Sequence, residues 1–254
     1  MRRYLIILFF IPVKDLSAQI GYQDLFENKS FSWVSDSTSK ELIFHYQSGS
    51  WTDKKISLVR KRLHNHLDSV KSFIGINNYD KVIFLFIVES REQMKLLVGN
   101  ETNGAAFYQS NTITGIASSR INSIFSNHEM FHVISMNIWG VPDIWINEGM
   151  AVYSDNKWHS NDLYQLTKFL IDNNRYVSLK KLIKDFKKLD HLVSYPLAGS
   201  FTKYLDKTYG RETVINIWKG RTKNLKKYTG KTIKELESDW LLTIYKVTYN
   251  EIKY

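Results

Sequence analysis

The segment His128-Glu129-Met130-Phe131-His132 sets two imidazoles four residues apart with a carboxylate beside the first. On a helix, residues four apart share a face, so both rings can reach one cation while Glu129, one step round, leans over an open coordination position. This is the H-E-x-x-H arrangement. Zinc needs a third protein ligand that still leaves one tetrahedral position for water, and Glu148, sixteen residues after His132, can supply it from a following antiparallel helix. His128, His132 and Glu148 together make a His2Glu site for one Zn2+ per chain. Asp155, two turns beyond Glu148 on the same face, is placed to accept the free ring N–H of a ligating histidine and fix its tautomer. Asn147 either joins that outer shell or serves only as a helix cap.

These side chains need helices behind them. Around the two histidines, Ile124, Phe125, Phe131, Val133, Ile134 and Ile138 supply an apolar side, and Gly140-Val141-Pro142 stops the run, so a helix is expected over 123–139. Further helices are expected around Glu148 and over 163–171, 179–189, 197–205, 214–218 and 233–245, the last opened by the capping box Thr232-x-x-Glu235. Upstream the pattern differs. Strand character marks 41–47 and the fully apolar run 82–88, with a pair of strands at 105–109 and 112–117 around Ser110-Asn111. Between the first two, Thr52-Asp53 caps a helix whose apolar stripe is Ile56, Val59, Leu63, Leu67, Val70 and Ile74. A short helix is expected over 94–97. The fold class is therefore α+β: a small mixed sheet with helices over 39–121, followed by a mainly helical half over 122–254, the two forming one domain.

The chain has 254 residues, 43% of them hydrophobic, so it can bury a real core and is not a disordered polymer. It contains no Cys, which excludes disulfide scaffolds, Cys-ligated metals and thiol nucleophiles. Arg2 and Arg3 followed by the apolar run 4–13 and the small residues before Gln19 read as a signal peptide over 1–18, so a periplasmic or secreted protein is expected. Residues 19–38 show little periodicity and are expected to form a separate N-terminal segment. No other run has membrane length. The net charge is +10, and loss of residues 1–18 leaves +8, a balance that permits electrostatic contact with an anionic envelope. No nucleic-acid motif accompanies it.

H-E-x-x-H followed by W-x-N-E-G-x-A-x-Y-x-D resembles the gluzincin zinc metallopeptidases, and especially the small peptidase MA-like domains related to the aminopeptidase and thermolysin groups. The stretches 195–205 and 235–240 are similar to the helices those domains carry after the metal site, and the likeness spans roughly 40–245. The resemblance implies a minimal thermolysin- or aminopeptidase-like catalytic domain in which His128, His132 and Glu148 bind zinc and Glu129 is the general base. It also implies a Tyr on a later helix that stabilises the oxyanion, for which Tyr195 is the matching position and His191 and Tyr204 are competitors. Substrate peptides of such enzymes pair with an edge strand before the zinc helix, here 112–117, with Gly115, Ile116 and Ala117 at the contact. One departure stands out. Aminopeptidases of this kind hold the substrate amino terminus with an acid in a G-x-M-E-N stretch, whereas 102–127 contains no Asp or Glu.

The expected function is thus an exported zinc metallopeptidase acting on peptides or proteins, with endopeptidase action favoured over aminopeptidase action. The alternative is a non-catalytic, zinc-stabilised binding module of the cell envelope. A further variant is a peptidase held latent by its own residues 19–38.

Overall fold

The computed structural model describes residues 20–252; the signal-like stretch 1–18 and its cleavage point lie outside the described residues. The first half contains α1 (Tyr22–Phe26), β1 (Trp33–Asp36), β2 (Leu42–Gln47), α2 (Trp51–Lys54), α3 (Ile56–Ile74), β3 (Ile83–Val88), α4 (Arg91–Val98), β4 (Gly104–Phe107) and β5 (Thr112–Ile116). The second contains α5 (His128–Trp139), α6 (Ile144–Asp155), the short strands β6 (Lys157–Trp158) and β7 (Asn161–Asp162), and α7 (Leu163–Asp172). It continues through α8 (Leu179–Asp185), α9 (His191–Tyr209), α10 (Arg211–Gly220), α11 (Leu225–Thr229) and α12 (Ile233–Tyr245). The architecture is α+β, a five-stranded mixed sheet followed by helices. Among the described residues no helix is long and apolar enough to cross a membrane.

β3 lies at the centre because both of its faces must be covered, which is why its sequence is a continuous apolar run and not an alternating one. The strand order is β1-β2-β3-β5-β4; β2, β3 and β5 are parallel, and β1 and β4 flank them antiparallel. Ile83, Leu85 and Ile87 face α3, whose Val59, Leu63, Leu67, Val70 and Ile74 form the buried stripe that the sequence pattern requires. Phe86 and Val88 face the other way, onto a smaller core with Leu25, Phe31, Met94 and Leu97. Residues 20–38 are therefore part of the domain and not a separate segment: Leu25 is fully buried, and β1 pairs with β2 from Trp33↔Gln47 to Asp36↔Phe44.

Local chemistry moves two boundaries. Ser50, not Thr52-Asp53, is the N-cap before α2, its Oγ accepting the Asp53 N–H at 3.1 Å, and the chain turns at Lys55 before α3 begins. The helix that carries His128 and His132 starts at His128 and not at Ser123. Its expected first turn is instead tied to β5, where Ile124 N–H donates to the Ile116 carbonyl and Ser123 Oγ accepts the Ile116 N–H. The capping box Thr232/Glu235 forms as expected at the start of α12. Across the helical half, Asp206 on α9 accepts from Tyr153 of α6 at 2.9 Å and from both Arg211 Nε and Nη2, while Arg211 Nη1 donates to the Phe73 carbonyl of α3. This charge-assisted knot joins the helical half to the helix behind the sheet.

His45 on β2 is buried beneath Phe84, Phe86 and Tyr22, with Nδ1 against Ser35 Oγ at 2.9 Å and Nε2 without a partner. Burial lowers its pKa to about 4. The folded-state value lies below the unfolded one, so the contribution is complete above pH ~6.5 and is lost as pH falls towards 4, by about 3 kcal/mol at most. Urea unfolding at stepped pH is expected to show this acid limb in the wild type, and a markedly flatter one in His45→Phe. Parallel limbs in the two proteins would remove His45 as the cause.

Candidate metal centre

α5 is apolar on nearly all sides, with Met130, Phe131, Val133 and Ile134 buried, so it sits between the sheet and the later helices. Its first turn opens onto a cleft of about 860 Å3. His128 and His132 lie one turn apart at that opening, their rings 4.7 Å between centroids and nearly perpendicular at 85°. Glu148 comes from α6, which returns after Gly140 takes a positive φ of 82° and ends α5. The two Nε2 atoms are 3.2 Å apart, and Glu148 Oε2 lies 3.2 Å from His128 Nε2 and 3.4 Å from His132 Nε2.

A point equidistant from these three atoms lies about 1.9 Å from each, close to the roughly 2.0–2.1 Å bonds that imidazole and carboxylate make to a divalent ion of zinc's size. The His128–His132–Glu148 group can therefore hold a metal ion. Electrostatics point the same way. Burial opposes charge on His128, but its hydrogen bond to Glu148 and the charges of Glu129, Glu148 and Asp155 outweigh this and raise its pKa. Glu148, equally buried, is held well below the usual carboxylate range by the two imidazoles. The cluster thus demands positive charge at its centre, either protons or a cation.

The outer contacts differ from the expectation for Asp155. Its carboxylate accepts no ring N–H from a ligand; Oδ1 takes the Asn127 backbone N–H at 2.9 Å, at the head of α5, and reaches His128 only through its charge. Asn147 does the tautomer-fixing work, its Oδ1 accepting from His132 Nδ1 at 3.0 Å and leaving Nε2 as the metal-facing lone pair. It is not a cap, since Asp143 occupies that position in α6. Asn127, to which the H-E-x-x-H spacing does not point, also holds the site: its amide joins His66 and Ser69 of α3 to the Ser154 carbonyl of α6, fixing α5 between them. Its place directly before His128 is the only sequence signal for it.

Tyr195 on α9 lies at the centre, its ring stacked on His128 at 6.2 Å and on Trp158 at 5.1 Å. Burial, then the charges of Glu148 and Glu129 and a hydrogen bond to Glu148, push its hydroxyl pKa far up, so it remains a proton donor. Of the competitors, Tyr204 is buried against Phe201 and Tyr209 away from the cleft, and His191 sits on the rim with a largely exposed ring.

The expected edge strand is a correction. β5 is paired on both sides, by β3 and β4, so Gly115, Ile116 and Ala117 offer no free backbone edge to a ligand. Gly115 is small because Ile124 packs over it; a Cβ there would meet Ile124 Cδ1 at 2.5 Å. The free edge is β4, which lines the cleft, and Glu129 leans against it: a Cβ on Gly104 would lie 3.0 Å from Glu129 Oε1.

Gly149, next to the third ligand, lets α6 lie directly on α9. A Cβ there would be 2.8 Å from the Ala198 carbonyl oxygen, a backbone atom that cannot move without shifting α9. Gly149→Ala is expected to cost about 1–3 kcal/mol in urea unfolding and to weaken metal binding by displacing Glu148. Unchanged stability and affinity would show that the helix contact does not set the site.

No family model matches the chain, and no curated protein matches it in sequence.

Proposed function

We propose that the protein is an exported zinc endopeptidase with a minimal gluzincin-like catalytic domain. The observation that carries this reading is the convergence of His128, His132 and Glu148 on one point in an open cleft that Glu129 also lines, its carboxylate against Gly104 of β4. Zinc, when bound there, supplies Lewis acidity that acidifies water and polarises a carbonyl.

The chain's own residues supply the rest. A peptide extended along β4 pairs with its unpaired backbone groups, and Gly104 leaves the room that Glu129 and a substrate carbonyl need to meet. Glu129 takes the proton of the attacking water and delivers it to the leaving amine. Tyr195, kept protonated, donates to the oxygen on which negative charge develops. Asn147 holds the His132 ring in place throughout.

Endopeptidase action is favoured because, among the described residues, the only carboxylates lining the cleft are Glu129, Glu148 and Asp155, each already engaged at the centre or at the head of α5. None is free to capture a substrate amino terminus. The reading as a non-catalytic zinc-stabilised module draws on the net charge of +10, yet it gives no use to a carboxylate poised beside an open cleft.

Glu129→Gln keeps the size of the side chain and removes the base. Hydrolysis of an unstructured protein substrate is expected to fall by about a hundredfold or more with unchanged circular dichroism and melting temperature. Turnover within a few-fold of wild type would take Glu129 out of the mechanism.

A further inference from the structure

Helix packing fixes the backbone of Tyr195, but its side chain still has staggered alternatives about the Cα–Cβ bond. The structure holds the one in which the hydroxyl is engaged by Glu148. Of the aromatic rings against it, Trp158 is the nearest, at 5.1 Å between centroids and 29° between planes. Phe186 lies at 5.3 Å and 48°, and His128 at 6.2 Å and 23°.

Trp158 stands on the β6–β7 hairpin, which is fastened to both helices that meet at the centre. Lys157 pairs with Asp162 and Trp158 with Asn161, so His159 and Ser160 form the tip. Both take a positive φ, 47° and 69°, in a turn that ordinarily goes to Asn or Gly, so a histidine and a serine are held there under strain. Asn161 Nδ2 braces the tip, donating to the Trp158 carbonyl at 3.4 Å and to the His159 carbonyl at 3.1 Å. The hairpin follows directly on α6, the helix of Glu148. At its other end Asp162 accepts from Lys203 of α9, the helix of Tyr195, at 3.1 Å, and caps α7 through the Tyr164 N–H at 2.8 Å.

The indole is held there by its face and not by its N–H. Trp33, Trp145, Trp218 and Trp240 each donate a hydrogen bond through Nε1, as an indole inside a protein ordinarily does. Trp158 Nε1 is buried without a partner. An unmade buried donor is unfavourable, so the ring stays on Tyr195 in spite of it, with the His159 ring edge-on at 5.1 Å.

We infer that Trp158 is the positioning residue for Tyr195: its indole face holds the phenol ring in the setting that presents the hydroxyl to the centre. Trp158 acts through Tyr195 and not on the substrate. The inference rests on the peptidase reading, in which Tyr195 donates to the oxygen on which charge develops.

The test is a double-mutant cycle read by equilibrium binding, which does not depend on turnover. The probe is a fluorescent phosphinic hexa-alanine, in which a tetrahedral phosphinate replaces the central peptide bond, titrated by anisotropy against zinc-supplemented protein. Tyr195→Phe is expected to weaken binding about tenfold or more, the worth of one hydrogen bond to a charged oxygen. Trp158→Leu is expected to weaken it to the same extent, yet to add no more than about twofold in the Tyr195→Phe background. Trp158→Phe keeps a ring face and is expected to stay within about threefold of wild type. Trp158→Met is read beside Trp158→Leu, with circular dichroism and zinc content, so that a folding defect of one variant does not decide the result. Losses that multiply in the double variant, or wild-type binding by Trp158→Leu and Trp158→Met, would overturn the inference. Trp158→Phe as weak as Trp158→Leu would also overturn it, because the indole N–H and not the ring face would then be what matters. If Tyr195→Phe binds the probe as wild type does, the inference falls, while cleavage of an unstructured protein by wild type still upholds the peptidase reading. If wild type neither binds the probe nor cleaves, both fall together.

Discussion

The close approach of α6 and α9 is the contact on which the centre depends. Glu148 comes from one helix and Tyr195 from the other, and both must reach imidazoles carried by a third. Gly149 makes this possible by bringing α6 onto the Ala198 carbonyl, and Gly199 answers from the other side, where a Cβ would lie 2.6 Å from Val152 Cγ1. Two helices in such close contact have no room to slide, so Glu148 and Tyr195 are positioned by packing and not by loops. Asp206 then fastens α9 to α6 through Tyr153 and to α3 through Arg211.

Within that frame the charges decide what the centre can be. Three ionisable groups meet within hydrogen-bonding distance, each at most 17% exposed at the side chain. Buried together without a compensating cation they would be costly, and the structure surrounds them with partners that orient them towards one point and not away from it. Asn147 fixes one ring, Asp155 adds negative charge behind the other, and Asn127 locks the first turn of α5 in place. The fold thus spends its polar contacts on the geometry of this cluster, while the cleft outside it remains open on the side of β4.

Much of this was legible in the residues because the signals were local. The continuous apolar run before Val88 marks a strand covered on both faces, the Thr232-x-x-Glu235 box marks the start of α12, and i,i+4 histidines share a helix face wherever a helix forms. What was not legible depends on contacts between distant segments. Ile124 and Phe125 carry helical periodicity, yet the backbone of Ile124 is claimed by β5. The order of strands is not written in any strand, so β5 could not be distinguished from the true edge, β4, by composition. Asp155 has the right spacing to orient a ligand histidine, but the head of α5 needs an acceptor and takes it, leaving Asn147 for the ring.

The central claim is that His128, His132 and Glu148 hold one zinc ion, and elemental analysis of the purified chain, never exposed to chelator, tests it most directly when run beside His132→Ala. The account predicts about one zinc per wild-type chain and a loss of nearly all of it in the variant. A folded wild-type protein with no zinc, or a variant that keeps its full complement, would contradict it.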